Sequence, residues 1–269
     1  MYNVYFKIMK KIFFISMLGL ILSCSDDNTN INKSNSESSQ KENYYKIYNS
    51  EAKNHIILEN LGGIYDKNKI TNVTSISLDS TPKDITINGE KLLGKFISQN
   101  KGGTWSSQSD ISSLFGKKVS IKKSGNNYII SDNVSNKGGD EISWYIPELI
   151  SATVTGLVNG KVVPGTTVTW NKDQNNLNGI SMMVEYSPYE QSKSEISNTR
   201  TENETRVKSI EDNGYYVVTE EDLKQYPKGT NLNFYFGRTA YYIDVTGDIT
   251  EDTSLGAVSA VRADFEISY

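Results

Sequence analysis

The chain has 269 residues, of which 36% are hydrophobic and 22% are charged, and its formal net charge at pH 7 is −4. An acidic chain without clusters of lysine and arginine is a poor partner for nucleic acid or for an anionic lipid surface, because both require concentrated positive charge. A single cysteine excludes an intramolecular disulfide, so burial of apolar surface has to stabilise the fold.

The first 23 residues have the pattern of a secretory signal peptide. Lys7, Lys10 and Lys11 make the N-terminal segment basic, and a mostly apolar run follows over residues 12–22. This run is shorter than the roughly 20 residues that a membrane-spanning helix requires, so it predicts a cleaved signal and not a transmembrane anchor.

The signal ends in Ile21-Leu22-Ser23-Cys24, which resembles the lipobox of bacterial lipoproteins. The resemblance implies that the chain is cut before Cys24, that this cysteine receives a thioether diacylglycerol, and that acyl chains such as palmitate tie the protein to a membrane. Two or more acyl chains make a durable anchor, whereas one chain binds only marginally. The alternative is an ordinary signal peptide followed by a chance cysteine.

Two acidic residues, Asp26 and Asp27, follow the cysteine closely. They resemble the export signal of Bacteroidota lipoproteins that are displayed on the outer face of the outer membrane. The resemblance implies a lipid-anchored protein at the cell surface, with the periplasmic face of the outer membrane as the alternative.

Residues 24–43 are predicted to be the lipidated cysteine and a flexible tether. Ile31 is the only apolar residue from 25 to 43, and such a segment cannot bury enough surface to offset the entropy lost on ordering. The folded body is predicted to begin at Tyr44 and to comprise a β-rich domain, residues 44–147, and a second domain, residues 148–269.

The β-rich domain shows short alternating segments. Residues 73–78 and 84–88 alternate between polar and apolar side chains, and residues 118–122 and 128–130 form a predicted hairpin on either side of a glycine-containing turn. Residues 90–97 fit either a short helix or another strand.

The segment from 98 to 113 is predicted to be a polar loop in which Trp105 is exposed.

The second domain contains seven candidate strands and three Asn-Gly turns, at residues 159–160, 178–179 and 213–214. This spacing favours an all-β, immunoglobulin-like β-sandwich, and the whole body is predicted to form two sandwich-like halves with one or two short helices. Residues 219–222 resemble a capping box that opens a short helix through Leu223. The candidate strands are residues 151–155, 166–170, 180–186, 215–218, 232–236, 240–245 and 263–269.

The same region carries a fold-level resemblance. The phrase over residues 168–180, followed by residues 212–215 and Asp222-Leu223, resembles domains of uncharacterised Bacteroidota surface lipoproteins. The resemblance covers about residues 148–238 and brings no catalytic residue with it, so it bears on the fold alone.

Catalytic signatures are sparse in the sequence. His55 is the only histidine, it has no nucleophile motif near it, and it is interpreted as structural. Glycine-rich nucleotide loops are missing, so no cofactor is expected. The neighbours Asp140 and Glu141 are poor candidates for a glycosidase pair, because adjacent strand residues point to opposite faces.

Two oxygen-rich segments invite comparison with calcium loops. Asp173, Asn175 and Asn178 lie in one, and Asp244, Asp248 and Asp252 lie in the other. Neither matches the twelve-residue calcium loop, and Asn and Asp also favour turns, so turns without metal are predicted.

Aromatic residues are the best indication of a binding surface. Tyrosine combines a large contact area with a polar tip and loses little entropy on binding. In the doublets Tyr215-Tyr216 and Tyr241-Tyr242, a strand sends one ring to each face, so one ring of each doublet is predicted to point outward. The proposed binding residues are Trp105, Tyr186, Tyr189, Tyr216, Tyr241 and Tyr242.

These features predict an envelope lipoprotein, not an enzyme, with a role in binding or adhesion to a glycan or protein ligand. The alternatives are a glycoside hydrolase-type enzyme with paired carboxylates and an accessory subunit of an envelope assembly, which an exposed apolar patch would favour.

Overall fold

The computed structural model describes residues 40–48, 52, 54–65, 69–77, 84–99, 102–124, 127–133, 141–191, 202–244 and 253–268. The predicted signal peptide, Cys24 and the first part of the tether lie outside these residues, as do Asp140, Asp248 and Asp252. No helix in the described ranges is both long and apolar enough to cross a membrane.

Two α-helices and two 3-10 helices occur in the described residues: α1 (Gln40–Tyr48), α2 (Glu220–Leu223), and 3-10 helices at Ser112–Leu114 and Pro188–Glu190. The strands of the N-terminal half are β1 (Asn54–Gly63), β2 (Lys69–Ser77), β3 (Asp84–Ile87), β4 (Glu90–Lys91), β5 (Lys95–Gln99), β6 (Gly102–Ser107), β7 (Lys117–Ser124), β8 (Asn127–Ser131) and β9 (Glu141–Ile146). Those of the C-terminal half are β10 (Ala152–Thr155), β11 (Thr167–Trp170), β12 (Ile180–Tyr186), β13 (Glu204–Ile210), β14 (Tyr215–Val217), β15 (Asn231–Asp244) and β16 (Thr253–Glu266).

The strands form three sheets. An eight-stranded sheet has the order β13-β12-β15-β16-β1-β2-β6-β5, a three-stranded sheet the order β10-β11-β14, and a five-stranded sheet the order β4-β3-β8-β7-β9. The eight-stranded sheet takes four strands from each predicted domain, whereas each smaller sheet belongs to one of them.

The C-terminal half is a β-sandwich. Its first, second and fifth strands form the three-stranded sheet, and the other four lie in the large sheet in the order β13-β12-β15-β16. The core between them contains Trp170, whose ring stacks on Phe236 with 6.1 Å between centroids. The predicted all-β, sandwich-like fold with short helices is confirmed.

The N-terminal half packs the five-stranded sheet against the opposite end of the large sheet. Ile56 and Leu58 of β1 share a core there with Trp144 of β9. The long strands β15 and β16 extend into this second core, to which they contribute the small residues Ala240 and Ala257. The large sheet therefore serves two sandwich-like halves.

Helix α1 covers part of the other face of the large sheet. Ile47 lies on Gly256, where an added Cβ would come within 2.9 Å of the isoleucine side chain, and Asn43 is buried. The helix begins at Gln40, four residues before the predicted start of the folded body, because its buried side contacts the sheet.

Several local predictions hold. Strand β12 has its predicted bounds, β7 and β8 form the predicted hairpin, and a capping box between Thr219 and Asp222 opens α2. Residues 90–97 take the strand alternative as parts of β4 and β5. The two strands predicted at 232–236 and 240–245 are one continuous strand, β15.

Candidate functional site

Trp105 does not lie in an exposed loop, so that prediction is wrong. It is on β6, paired with Phe96 of β5, and only 6% of its surface is exposed. An added Cβ at Gly94 would lie 2.1 Å from the indole ring, which shows that the ring is seated against that glycine. Trp105 is a core residue.

Three of the predicted binding tyrosines also serve packing. Tyr186 is 1% exposed and stacks on Tyr226 with 6.4 Å between ring centroids. Tyr241 packs with the cluster under α1, and Tyr242 packs on the opposite face with the N-terminal core. Both rings of the second doublet are thus partly covered, which contradicts the predicted outward ring there.

The doublet on β14 does place one ring outward. Tyr215 is 55% exposed, whereas Tyr216 points inward and its hydroxyl accepts from Lys208 and donates to Asp222. The outward member is therefore Tyr215, not the proposed Tyr216.

Tyr189 is the most exposed of the proposed residues, at 87%. It lies in the 3-10 helix Pro188–Glu190, which the side chain of Gln191 ties to the start of β15. The Gln191 amide donates to the Asn231 carbonyl (3.0 Å) and accepts from the Asn231 backbone N–H (2.9 Å). This local fold presents Tyr189 to solvent and turns Glu190 toward the sheet.

A group of polar side chains on the outer face of the large sheet adjoins Tyr189. Strands β12, β15 and β16 supply five of its six members, because alternate residues of each strand point away from the sandwich core, and the 3-10 helix Pro188–Glu190 supplies the sixth. We call it the Arg262 cluster; its members are Glu185, Glu190, Asn233, Tyr235, Arg262 and Asp264.

The cluster is organised around the guanidinium of Arg262. Arg262 donates to Asp264 Oδ1 (2.7 Å) and to Asn233 Oδ1 (2.8 Å), and its carbon Cζ lies 5.5 Å from the centroid of the Tyr235 ring. The Asn233 amide donates to Glu190 Oε2 (2.7 Å), while the other Glu190 oxygen lies 3.9 Å from Arg262. These contacts preorganise donors and acceptors beside an exposed aromatic ring.

Burial sets the protonation of the cluster. It raises the pKa of the Glu185 carboxyl above its ordinary value, against the opposing effect of a hydrogen bond to Tyr235. Burial, followed by the proximity of Glu185, also raises the pKa of Tyr235. Burial alone would lower the pKa of Arg262, but Tyr235 and Asp264 outweigh it and raise that pKa. A neutral phenol and a charged guanidinium are therefore maintained across physiological pH.

The sequence analysis identified none of the six members of the Arg262 cluster as site residues. A signal for two of them existed, because residues 262–266 alternate polar and apolar, so Arg262 and Asp264 share the face opposite Ala263 and Phe265. The contribution of Glu190 depends on the fold of the 188–191 turn, which no local pattern indicates.

Asp173 lies in a turn, as predicted, and its carboxylate accepts protein donors. The Tyr145 hydroxyl donates to both of its oxygens (2.9 and 3.0 Å), and the backbone N–H groups of Glu148 and Asn175 donate at 2.8 and 2.9 Å. Burial and the bond to Asp173 raise the pKa of Tyr145 to about 12. Among the described residues no group of three or more His, Cys, Asp and Glu side chains is arranged to hold a metal ion.

His55 is a packed residue on β1. It is buried, and its Nδ1 lies 3.0 Å from the Ser254 hydroxyl on the neighbouring strand β16. Burial lowers the pKa of the imidazole, which favours the neutral form. The structural interpretation of His55 is consistent with this environment.

A polar trio closes one edge of the C-terminal sandwich. Lys208 of β13 donates to the Tyr216 hydroxyl (2.8 Å) and to Asp222 Oδ1 (3.2 Å), and the Tyr216 hydroxyl donates to Asp222 Oδ2 (2.5 Å). Asp222 also accepts from the backbone N–H of Thr219 (2.9 Å). The trio joins both sheets to α2.

The trio predicts a loss of stability in acid. Burial alone would raise the pKa of Asp222, but hydrogen bonds from Tyr216, Thr219 and Lys208 outweigh burial and lower that pKa. A lowered carboxyl pKa contributes stability that is present above about pH 4 and is lost as the pH falls through the folded-state value. We expect the free energy of unfolding in urea to fall less steeply in acid for Asp222→Asn than for the unsubstituted protein. Equal slopes would refute a role for this carboxylate.

The fold and the Arg262 cluster define an all-β, sandwich-like protein with a polar outer face that carries an exposed tyrosine. The sequence matches no protein-family model, and no curated protein matches it.

Proposed function

We propose that this protein is an envelope lipoprotein, anchored through Cys24 and displayed at the bacterial outer membrane, whose sandwich body binds a glycan or protein ligand without catalysing a reaction. The signal-peptide pattern and the lipobox resemblance support the anchor. The Arg262 cluster supports the binding role.

The observation that carries the binding role is the position of Tyr189 next to the cluster. The 87% exposed aromatic ring supplies contact area, and the neighbouring carboxylates of Glu190 and Asp264 and the guanidinium of Arg262 supply hydrogen bonds. Binding sites for polar ligands combine these two elements, and aromatic and arginine side chains contribute most to affinity.

The experiment is an array of glycans and soluble proteins probed with the full chain, purified with its anchor in detergent. We expect Tyr189→Ala to weaken binding of the captured ligand by about tenfold or more, equivalent to about 1.4 kcal/mol. Leu177→Ala, a substitution at another exposed apolar residue, serves as the matched control and should bind normally.

Unchanged binding by Tyr189→Ala, or silence on every ligand class, would contradict the role of this surface. Cleavage of an arrayed glycan would replace binding with the hydrolase alternative. The anchor is tested separately by mass spectrometry of the native protein, which should show residues 1–23 removed and Cys24 carrying diacylglycerol.

One observation favours a second function, that of an accessory subunit in an envelope assembly. Strand β5 is an edge of the large sheet, and Leu93, Phe96 and Ile97 beside or on it are 89%, 50% and 59% exposed. Exposed apolar side chains along a strand edge are typical of a surface that another chain covers. Chemical cross-linking in intact cells would then join this protein to a partner through Lys91 or Lys95.

A further inference from the structure

The outer face of the three-stranded sheet has an unusual composition. The pairing register places two side chains from each strand on this face, in two rows: Thr153, Thr169 and Tyr215 in one, and Thr155, Thr167 and Val217 in the other. The alternating residues Val168, Trp170 and Tyr216 point to the sandwich core. We call this surface the Thr–Tyr face.

The Thr–Tyr face has no charged side chain, although 22% of the chain is charged. Four of its six residues are threonines, and the Thr153 and Thr169 hydroxyls lie 2.7 Å apart in a hydrogen bond across the strands. Each hydroxyl in such a pair has further donor or acceptor capacity, so the row offers hydroxyl groups on a neutral surface.

The backbone that carries Tyr215 is fixed next to these hydroxyls. The backbone N–H of Tyr215 donates to Asn213 Oδ1 (3.1 Å), and Gly214 adopts a φ of +96°, which a residue with a side chain rarely tolerates. Strand neighbours are about 4.8 Å apart and successive outward residues about 7 Å apart, so Tyr215 and the threonines form a shallow platform.

The size and chemistry of the Thr–Tyr face indicate the class of ligand that it can bind. A stable protein interface uses about 20 to 30 residues on each side, many more than the six on this face. A sugar chain needs only a ring surface for its apolar C–H groups and hydroxyl partners for its own hydroxyls. A charge-free face attracts a neutral glycan and gives no electrostatic attraction to an anionic one.

We propose that the Thr–Tyr face is a second binding surface, specific for a neutral, extended polysaccharide that packs on Tyr215 and hydrogen-bonds to the threonines. The two sheets of the C-terminal sandwich face each other, so their outer faces lie on opposite sides, and this surface is distinct from the Arg262 cluster. The polysaccharide site does not depend on ligand binding at that cluster.

The test is affinity electrophoresis of the full chain, purified with its anchor in a non-ionic detergent, in native gels containing neutral polysaccharides (β-glucan, mannan, xylan or starch) or anionic ones (polygalacturonate or heparin). We expect at least one neutral polysaccharide to retard the protein and the anionic ones to leave its mobility unchanged relative to albumin. Tyr215→Ala should weaken retardation by about tenfold or more, and Thr169→Val, which keeps shape and β-branching but removes the hydroxyl, by a few fold.

Leu177→Ala is the matched control, since it removes an exposed apolar side chain that belongs to neither the Thr–Tyr face nor the Arg262 cluster. If Tyr189→Ala abolishes the retardation and Tyr215→Ala preserves it, the Thr–Tyr face is not the polysaccharide site, and the result supports the Arg262 cluster instead. Failure of every neutral polysaccharide to retard the protein, or equal retardation by anionic ones, would also overturn the Thr–Tyr face as a site. Urea unfolding of each variant separates lost binding from lost folding.

Discussion

Asp212→Ala is expected to destabilise the protein by about 3 to 5 kcal/mol, because it leaves the guanidinium of Arg238 buried without a counter-ion. The side chains of Arg238 and Asp212 are 0% and 3% exposed, and Arg238 donates to the carboxylate through Nε (2.7 Å) and Nη2 (3.1 Å). Trp170 Nε1 and Asn176 Nδ2 donate to the same carboxylate at 2.9 and 3.0 Å. The measurement is the free energy of unfolding from urea denaturation followed by tryptophan fluorescence.

The expected loss of stability on Asp212→Ala is large because the Arg238–Asp212 pair connects several segments of the chain. Arg238 lies in the middle of β15, and it also donates to the backbone carbonyls of Glu148 and Asn171, in the connections that follow β9 and β11. Asp212 precedes β14. Burial alone would raise the pKa of Asp212, but hydrogen bonds from Arg238, Asn176 and Trp170 outweigh it and lower that pKa, so the carboxylate stays charged.

Lys117→Ala provides the control, because it breaks a partly exposed ion pair with Asp132 (3.0 Å) and should change the free energy of unfolding by no more than about 1 kcal/mol. If Asp212→Ala lowered the free energy of unfolding no more than Lys117→Ala does, the buried Arg238–Asp212 pair would not stabilise the fold as its geometry indicates.

Local patterns were sufficient to predict much of the C-terminal sandwich. Strand β12, the Asn-Gly turns and the capping box of α2 depend on residues that are close in sequence, so they can be predicted without knowledge of the fold. At Asn159-Gly160 both residues have positive φ, as the two-residue turn requires.

Other strands could not be predicted, because their environment is set by distant parts of the chain. The first nine residues of β16 are buried on both faces, by the N-terminal core on one side and α1 on the other, so they show no simple alternation. Strand β13 was not predicted, because its apolar residue does not face the sandwich core. Arg206 and Lys208 point toward the rim of the sandwich, whereas Val207 lies on the outer face and is buried there. Parallel pairing of β1 with β16 joins residues about 200 positions apart, such as His55 and Ser254.

The candidate site also combines features that the sequence predicts with features that only the tertiary structure reveals. Alternation along a strand predicts that Tyr215 and Tyr216 point to opposite faces, but it does not show which face another sheet covers. Tyr189 was identified by its residue type alone. Its polar neighbours come from three strands and a turn, and only the tertiary structure places Glu190, Asn233 and Arg262 together.

Trp105→Ala is expected to lower the free energy of unfolding by about 3 to 5 kcal/mol, as for other buried tryptophans, because it opens a cavity in the N-terminal core. Gly94→Ala tests the same packing from the other side, since its Cβ would overlap an indole ring held by β5 and β6. Overpacking of this kind is expected to destabilise the protein by about 1 to 3 kcal/mol. Urea unfolding measures both effects.

Leu93→Ala is the matched control, because Leu93 is the immediate neighbour of Gly94 but is 89% exposed, and its loss should change stability by no more than about 0.5 kcal/mol. Ligand binding by folded Trp105→Ala should equal that of the unsubstituted protein, since a buried indole presents no surface to a ligand. A variant that unfolded normally but lost its ligand would restore Trp105 as a binding residue, and would mean that β5 and β6 open to expose it.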